Sequence, residues 1–129
     1  MYDVIGIMRD IDFIALMYSK DRWVRGNLVK RSSYFIESEK EKGRVMVRPE
    51  TICQFTGFVT KQGKRIYENM VLRFVNKWIP LWVVEFRNGC FVLRSKTTVP
   101  EYHTFEEWKE TIIEDATVEG SIFDEEFKE

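Results

Sequence analysis

Histidine and cysteine are scarce in this chain, and each scarcity closes off a class of chemistry. One His and two Cys occur among 129 residues. Cys53 and Cys90 lack C-x-x-C spacing, and with a single imidazole they cannot assemble an ordinary zinc ligand set. Both follow apolar or turn residues and read as small buried hydrophobes of a reducing compartment. His103 lies between Tyr102 and Thr104 with no Ser or Cys motif to pair with. A nucleophile needs a base within reach, so His103 reads as a surface or capping residue. Long apolar runs are missing too. The longest, Trp78 to Val84, has seven residues and contains Pro80, too short to cross a membrane. Val4-Ile5 and Ile7-Met8 flank a glycine and are too short for a signal-peptide core. Thr60 to Gly63 has one glycine and lacks G-x-x-x-x-G-K-[ST] spacing, so it reads as a hairpin turn and not a phosphate-cradling loop. Together these absences predict a cytoplasmic protein with no catalytic residues, no metal and no cofactor.

What is present suits a soluble globular chain. Hydrophobic residues make up 44% and charged residues 32%, a balance that argues against disorder. Four Trp and ten Phe supply bulky core material, and a chain of this length buries roughly two-thirds of its unfolded surface. Charge is uneven along the chain. Residues 1–99 hold 18 Lys/Arg against 10 Asp/Glu, whereas residues 100–129 hold 2 against 11. Such a split predicts a basic body against which an acidic segment packs, or a basic surface that seeks an anionic partner.

Strand patterns dominate. Residues 11–18, 22–31 and 33–37 are short apolar segments, the second interrupted by Gly26-Asn27, which predicts a hairpin turn there. The charged stretch 38–44 predicts a solvated loop before a strand at 45–48, and Pro49-Glu50 a short turn. Residues 70–75 form a near-continuous apolar run, as a strand buried on both faces would. Residues 81–87 and 90–95 flank Asn88-Gly89, whose tolerance of positive φ predicts a type I′ hairpin. A helix is predicted over 104–115: Thr104 and Glu107 have capping-box spacing, and Phe105, Trp108 and Ile112 form an apolar stripe. Glu107, Glu110 and Glu114 fall on the opposite face and read as a solvated helix surface, because an acid–base pair needs burial to shift its pKa. A last strand is predicted at 117–123.

The run Gln54 to Asn69 (QFTGFVTKQGKRIYEN) resembles the central motif of YopX-like proteins, Q-Y/F-T-G-L-x-D-K-x-G-K-x-I-Y-E-G-D-I-V. Gln54, Thr56, Gly57, Gly63 and Tyr67 carry the match, and Pro49-Glu50-Thr51-Ile52 is similar to what precedes it. Val118 to Asp124, with Gly120, resembles the closing segment V-x-G-N-I-Y-E. Arg9-x-Ile11-x-Phe13 is similar to the opening R-x-I-x-F. The chain departs from the pattern at Asn69-Met70, where the family has Gly-Asp, and at Ile14 to Met17, where it has Arg-Ala-Trp-Asp. Asn tolerates a left-handed backbone and can keep the turn, whereas Met70 cannot replace a carboxylate.

The resemblance implies a phage- or prophage-encoded protein of unassigned activity. It also implies a mainly β fold in two parts, the second an SH3-like β-barrel. With the strand pattern, this predicts an N-terminal β-rich subdomain over 1–59 and a barrel over 60–129, with helix 104–115 before the closing strand. Gln54, Thr56, Gly57, Gly63, Tyr67, Asn88, Gly89 and Gly120 are its structural motif. Two function classes follow. One is a non-enzymatic binding or accessory module acting through protein contacts, as a homo-oligomer or with a protein partner and away from the membrane. The other is a nucleic-acid binder in which Lys20, Arg22, Arg25, Lys30 and Arg31 hold phosphates while Trp23, Tyr34 and Phe35 stack bases.

Overall fold

A computed structural model describes residues 11–128, so Arg9 and the apolar pairs at 4–8 lie outside the described residues. The chain divides into two compact units, Met1–Gly57 and Phe58–Glu129. Among the described residues the fold is mainly β, with eleven strands and one α-helix. No helix there is long and apolar enough to cross a membrane.

In the first unit β1 (Phe13–Leu16), β2 (Trp23–Lys30), β3 (Tyr34–Ser38) and β4 (Gly43–Met46) form an antiparallel meander. β5 (Cys53–Val59) pairs with the other side of β1, Phe13 opposite Gln54. A bridge between Met17 and Val47 returns the end of β4 to the end of β1, with Tyr18 donating its amide to Met46 at 2.9 Å. Alternation sends Ala15, Met17, Val24, Ile36 and Val47 to one buried cluster, with Phe13, Tyr34, Val45 and Ile52 packed around it. Pro49–Thr51 makes a 3-10 turn as predicted, and Thr51 Oγ1 accepts the Leu16 amide at 2.9 Å.

Two expectations fail in this unit. Gly26-Asn27 is no turn, because β2 runs through it from Trp23 to Lys30. The glycine is there for close approach: a Cβ at 26 would overlap the Glu37 carbonyl oxygen. The predicted solvated loop at 38–44 is shorter than expected, since β4 already starts at Gly43.

The second unit begins with the end of β5. Thr60 turns the chain, its amide bonding the Lys64 carbonyl at 2.8 Å, and β6 (Arg65–Tyr67) follows. A five-stranded antiparallel sheet runs in the order β10-β9-β8-β7-β11, built from β7 (Met70–Phe74), β8 (Leu81–Arg87), β9 (Cys90–Ser95), β10 (Tyr102–Thr104) and β11 (Ala116–Ser121). The sheet is open, with β10 and β11 at its edges, and no closed barrel is found among the described residues. Leu72, Phe74, Trp82, Val84 and Leu93 point to one core with Phe105 and Ile112. Val71 and Val83 point the other way, against Phe127. β7 and β8 are therefore covered on both faces, which is why their sequences read as unbroken apolar runs.

The Asn88-Gly89 hairpin forms as predicted, with φ of 51° and 84°. Asn69 also takes φ of 67°, keeping the turn without glycine. Met70 Sδ accepts the Tyr67 amide at 3.3 Å.

The predicted helix 104–115 is corrected to a short one, α1 (Lys109–Asp115). The capping box does form, with the Glu107 amide donating to Thr104 Oγ1 at 3.0 Å and the Thr104 amide to Glu107 Oε1 at 3.3 Å. However, Thr104 pairs with Val92 in the sheet, and the Phe105 amide donates to the Phe91 carbonyl at 3.2 Å. The box therefore closes a turn over 105–108 that precedes the helix. The last strand ends at Ser121, and Ile122 and Phe123 belong to the turn after it.

Candidate functional site

β2 is eight residues long, but its two neighbours divide it. Trp23–Gly26 are in register with β1, and Asn27–Lys30 with β3. Past Glu37, β3 leaves β2 and pairs Ser38 with Gly43 of β4. The gap between the first half of β2 and the turn at 39–42 is a groove of about 520 Å³, lined by Asp12, residues 22–27 and residues 37–41.

Three of the eight residues proposed to hold nucleic acid, Arg22, Trp23 and Arg25, line this groove together. Lys20 is exposed on the bend that precedes it. Lys30 and Arg31 are at the far end of β2, about 17 Å along the strand from Arg25. There Lys30 Nζ lies 5.4 Å from the centre of the Tyr34 ring, and Arg31 Nη1 donates to the Lys30 carbonyl at 3.3 Å. The structure therefore breaks the sequence cluster into two.

The electrostatics of the groove are mixed. Arg22, Arg25 and Lys40 share its lining with Asp12, Glu37, Glu39 and Glu41. Arg25 Nε donates to Asp12 Oδ2 at 2.7 Å, and the Asp12 side chain is only 8% exposed. Arg22 Nη2 donates to Glu41 Oε2 at 2.5 Å and ties the two walls together. Nearby, Arg44 meets Glu37 at 3.0 Å and Arg48 meets Asp21 at 2.8 Å. The carboxylates that meet these cations come from residues 12–41 of the same unit. Acids of the 100–129 segment meet cations of the second unit, Glu114 with Lys61 at 3.4 Å and Glu119 with Arg73 at 3.5 Å. The groove was invisible in the sequence because it arises where two registers end, a relationship between residues that no local pattern records.

The motif residues are dispersed structural elements. Gln54 and Thr56 are half-buried on β5, Gly57 and Gly63 have φ of 91° and 86°, and Tyr67 is buried at the end of β6. Gly120 is at a bulge in β11. Of the cysteines, Cys53 is buried as expected, but Cys90 is exposed because it starts β9 just beyond the hairpin turn.

His103 is half-buried on β10. Its Nδ1 is 3.0 Å from Glu107 Oε2 and its Nε2 is 3.3 Å from Glu101 Oε1. The hydrogen bond with His103 holds the Glu107 carboxyl below the usual carboxylate range, helped by the Thr104 amide. Among the described residues no three His, Cys, Asp or Glu side chains are grouped as metal ligands would be.

The family described as YopX protein matches residues 11–125, most of the chain, and the chain belongs to that family. No curated protein matches it.

Proposed function

We propose that this YopX-family chain is a phage- or prophage-encoded binding or accessory module, non-enzymatic and cytoplasmic in a bacterial host, that acts through protein contacts. The observation that carries the reading is the neutralisation of the groove. Each of its two arginines already meets a carboxylate of the same unit. A polyanion would meet four carboxylates beside three cations, and the counterion release that drives nucleic-acid binding would be small. A polypeptide, with both signs of charge and both kinds of hydrogen-bonding group, complements such a surface.

We read the second unit as an SH3-like platform, by fold analogy. Its strand order supports this: four strands form a meander, and the fifth returns after a short helix to pair with the first.

Titration of labelled single-stranded and duplex DNA across a range of salt tests the reading, beside sedimentation velocity at matched ionic strengths. Weak or absent DNA binding at moderate salt is expected, with a self-associated species whose size depends on ionic strength. Sub-micromolar DNA binding at moderate salt would overturn it and favour the nucleic-acid role of Lys20, Arg22, Trp23, Arg25, Lys30 and Arg31.

A further inference from the structure

We infer that His103 is a proton-dependent clasp on the outer edge of the second unit's sheet. With both ring nitrogens protonated it ties Glu101 and Glu107 together beside β10, and it releases one of them when it loses a proton.

β10 is an edge strand, paired with β9 on one side. The Glu101 carbonyl accepts the Ser95 amide at 2.9 Å, and the Phe105 amide donates to the Phe91 carbonyl at 3.2 Å. Bonded residues alternate along an antiparallel strand, so the main chain of 101, 103 and 105 faces β9 and that of Tyr102 and Thr104 faces outward. Both outward groups of Thr104 are occupied. Its amide donates to Glu107 Oε1 at 3.3 Å, and its carbonyl accepts the Trp108 amide at 3.3 Å. The turn over 105–108 therefore blunts the edge, as exposed sheet edges require, and the Glu107 carboxylate helps to hold it there.

His103 Nδ1 faces the other oxygen of that carboxylate, and Nε2 faces Glu101. A neutral imidazole has one N–H and one lone pair, whereas the imidazolium has two N–H donors. Only the protonated ring can bond both carboxylates at once. Loss of the proton leaves one carboxylate facing a lone pair and takes away the charge that strengthens the other bond. The remaining neighbours of the ring are Leu93, opposite on β9, and the indoles of Trp82 and Trp108, none of which titrates. Arg94 is opposite Tyr102 and meets Glu85, on the other face of the sheet. Lys77, a cation on the same Trp108 indole, works against protonation. Among the described residues no bond joins the ring to Glu106, Lys109 or Glu110, which are exposed on the turn and α1. Histidine changes charge between about pH 5 and pH 8, whereas glutamate ordinarily does so near pH 4.3. The clasp is complete at the acid end of that window and is undone as pH rises through it.

The test uses the full chain labelled with nitrogen-15, whose single histidine makes the ring signals unambiguous. Hydrogen exchange of the Thr104, Glu107 and Trp108 amides is measured at about pH 5 and about pH 8 and corrected for the intrinsic exchange rate at each pH. The expected result is a ring protonated at both nitrogens at the lower pH, with protection of these amides about threefold higher there. His103→Gln should abolish the difference between the two conditions. Glu101→Gln, a change at an exposed side chain, should shrink it while leaving the far-ultraviolet circular dichroism unchanged, and it keeps the test decisive if His103→Gln does not fold. Equal protection at the two pH values in the wild type, a difference that persists in His103→Gln, or one that Glu101→Gln leaves at full size would each overturn the inference.

Discussion

The imidazole of His103 lies flat against the indole of Trp108, with ring centres 4.5 Å apart and an interplanar angle of 19°. The same indole meets Trp82 and Phe74 edge-on at 4.8 and 5.7 Å, and Lys77 Nζ lies 4.2 Å from its centre. The stack holds the imidazole where it reaches Glu107, so the one histidine is an organiser of the turn before α1 and not a loose surface group.

That arrangement gives a titration prediction. A carboxyl whose folded value lies below its unfolded one stabilises the fold above the unfolded value, about pH 4.3 for Glu. The contribution fades as pH falls through the depressed folded value. Carboxyl-carbon NMR should find Glu107 titrating lower in the wild type than in His103→Gln. Coincident midpoints would mean that the hydrogen bond with His103 is not what lowers it.

The hairpin at Asn88-Gly89 should reject β-branched residues. A Cβ at Gly89 would meet nothing within 4 Å, so the positive φ of 84° is the only obstacle. Gly89→Val should destabilise by about 1–3 kcal/mol, and Gly89→Asn by much less because Asn tolerates that region. Urea melts of the three proteins check the order.

Gly120 is constrained by space. A Cβ there would collide with the Asp124 carboxylate and come within 3.0 Å of the Phe127 ring. That carboxylate accepts the Ser121 amide at 2.9 Å, and Phe127 covers Val71 and Val83. Gly120→Ala should therefore cost about 1–3 kcal/mol. A chain ending at Asp115 lacks β11 and Phe127 altogether and should lose its sharp unfolding transition. A cooperative melt of that truncation would show the closing strand to be dispensable.

Trp78 is 98% exposed, so it contributes no packing to its own chain. Trp78→Ser should leave the melting temperature unchanged, within about 0.5 kcal/mol of stability. It should also remove the component of tryptophan emission most accessible to iodide. Calorimetry and quenching together check this.

Elemental analysis of protein purified without chelator should find no stoichiometric transition metal, given one His and two free Cys. One equivalent of zinc would require ligands shared between copies.

Features written locally were legible in the sequence. Asn88-Gly89 forms its turn because two adjacent residues suffice, and Asn69 keeps its turn because its own side chain tolerates positive φ. Burial of β7 on both faces was readable as an uninterrupted apolar run. Gly26 was misread because the reason for it is the carbonyl of Glu37 on another strand. The helix start was misread because the Phe105 amide is committed to Phe91, a sheet bond that outranks a correct capping box. The groove was hidden for the same reason, since it depends on where β3 parts from β2.

The strand order of the second unit also bears on synthesis. β7 lies between β8 and β11, and its pairing with β11 joins residues 44 positions apart, Arg73 and Thr117. A nascent chain emerging from the ribosome can assemble the meander first, but one side of β7 stays bare until the last strand has cleared the exit tunnel. Non-local pairings of this kind form slowly, and an uncovered apolar edge invites association with other chains. Translation that pauses before residue 116 should therefore yield a sticky intermediate, and the interval before β11 arrives is when the unit most needs a chaperone.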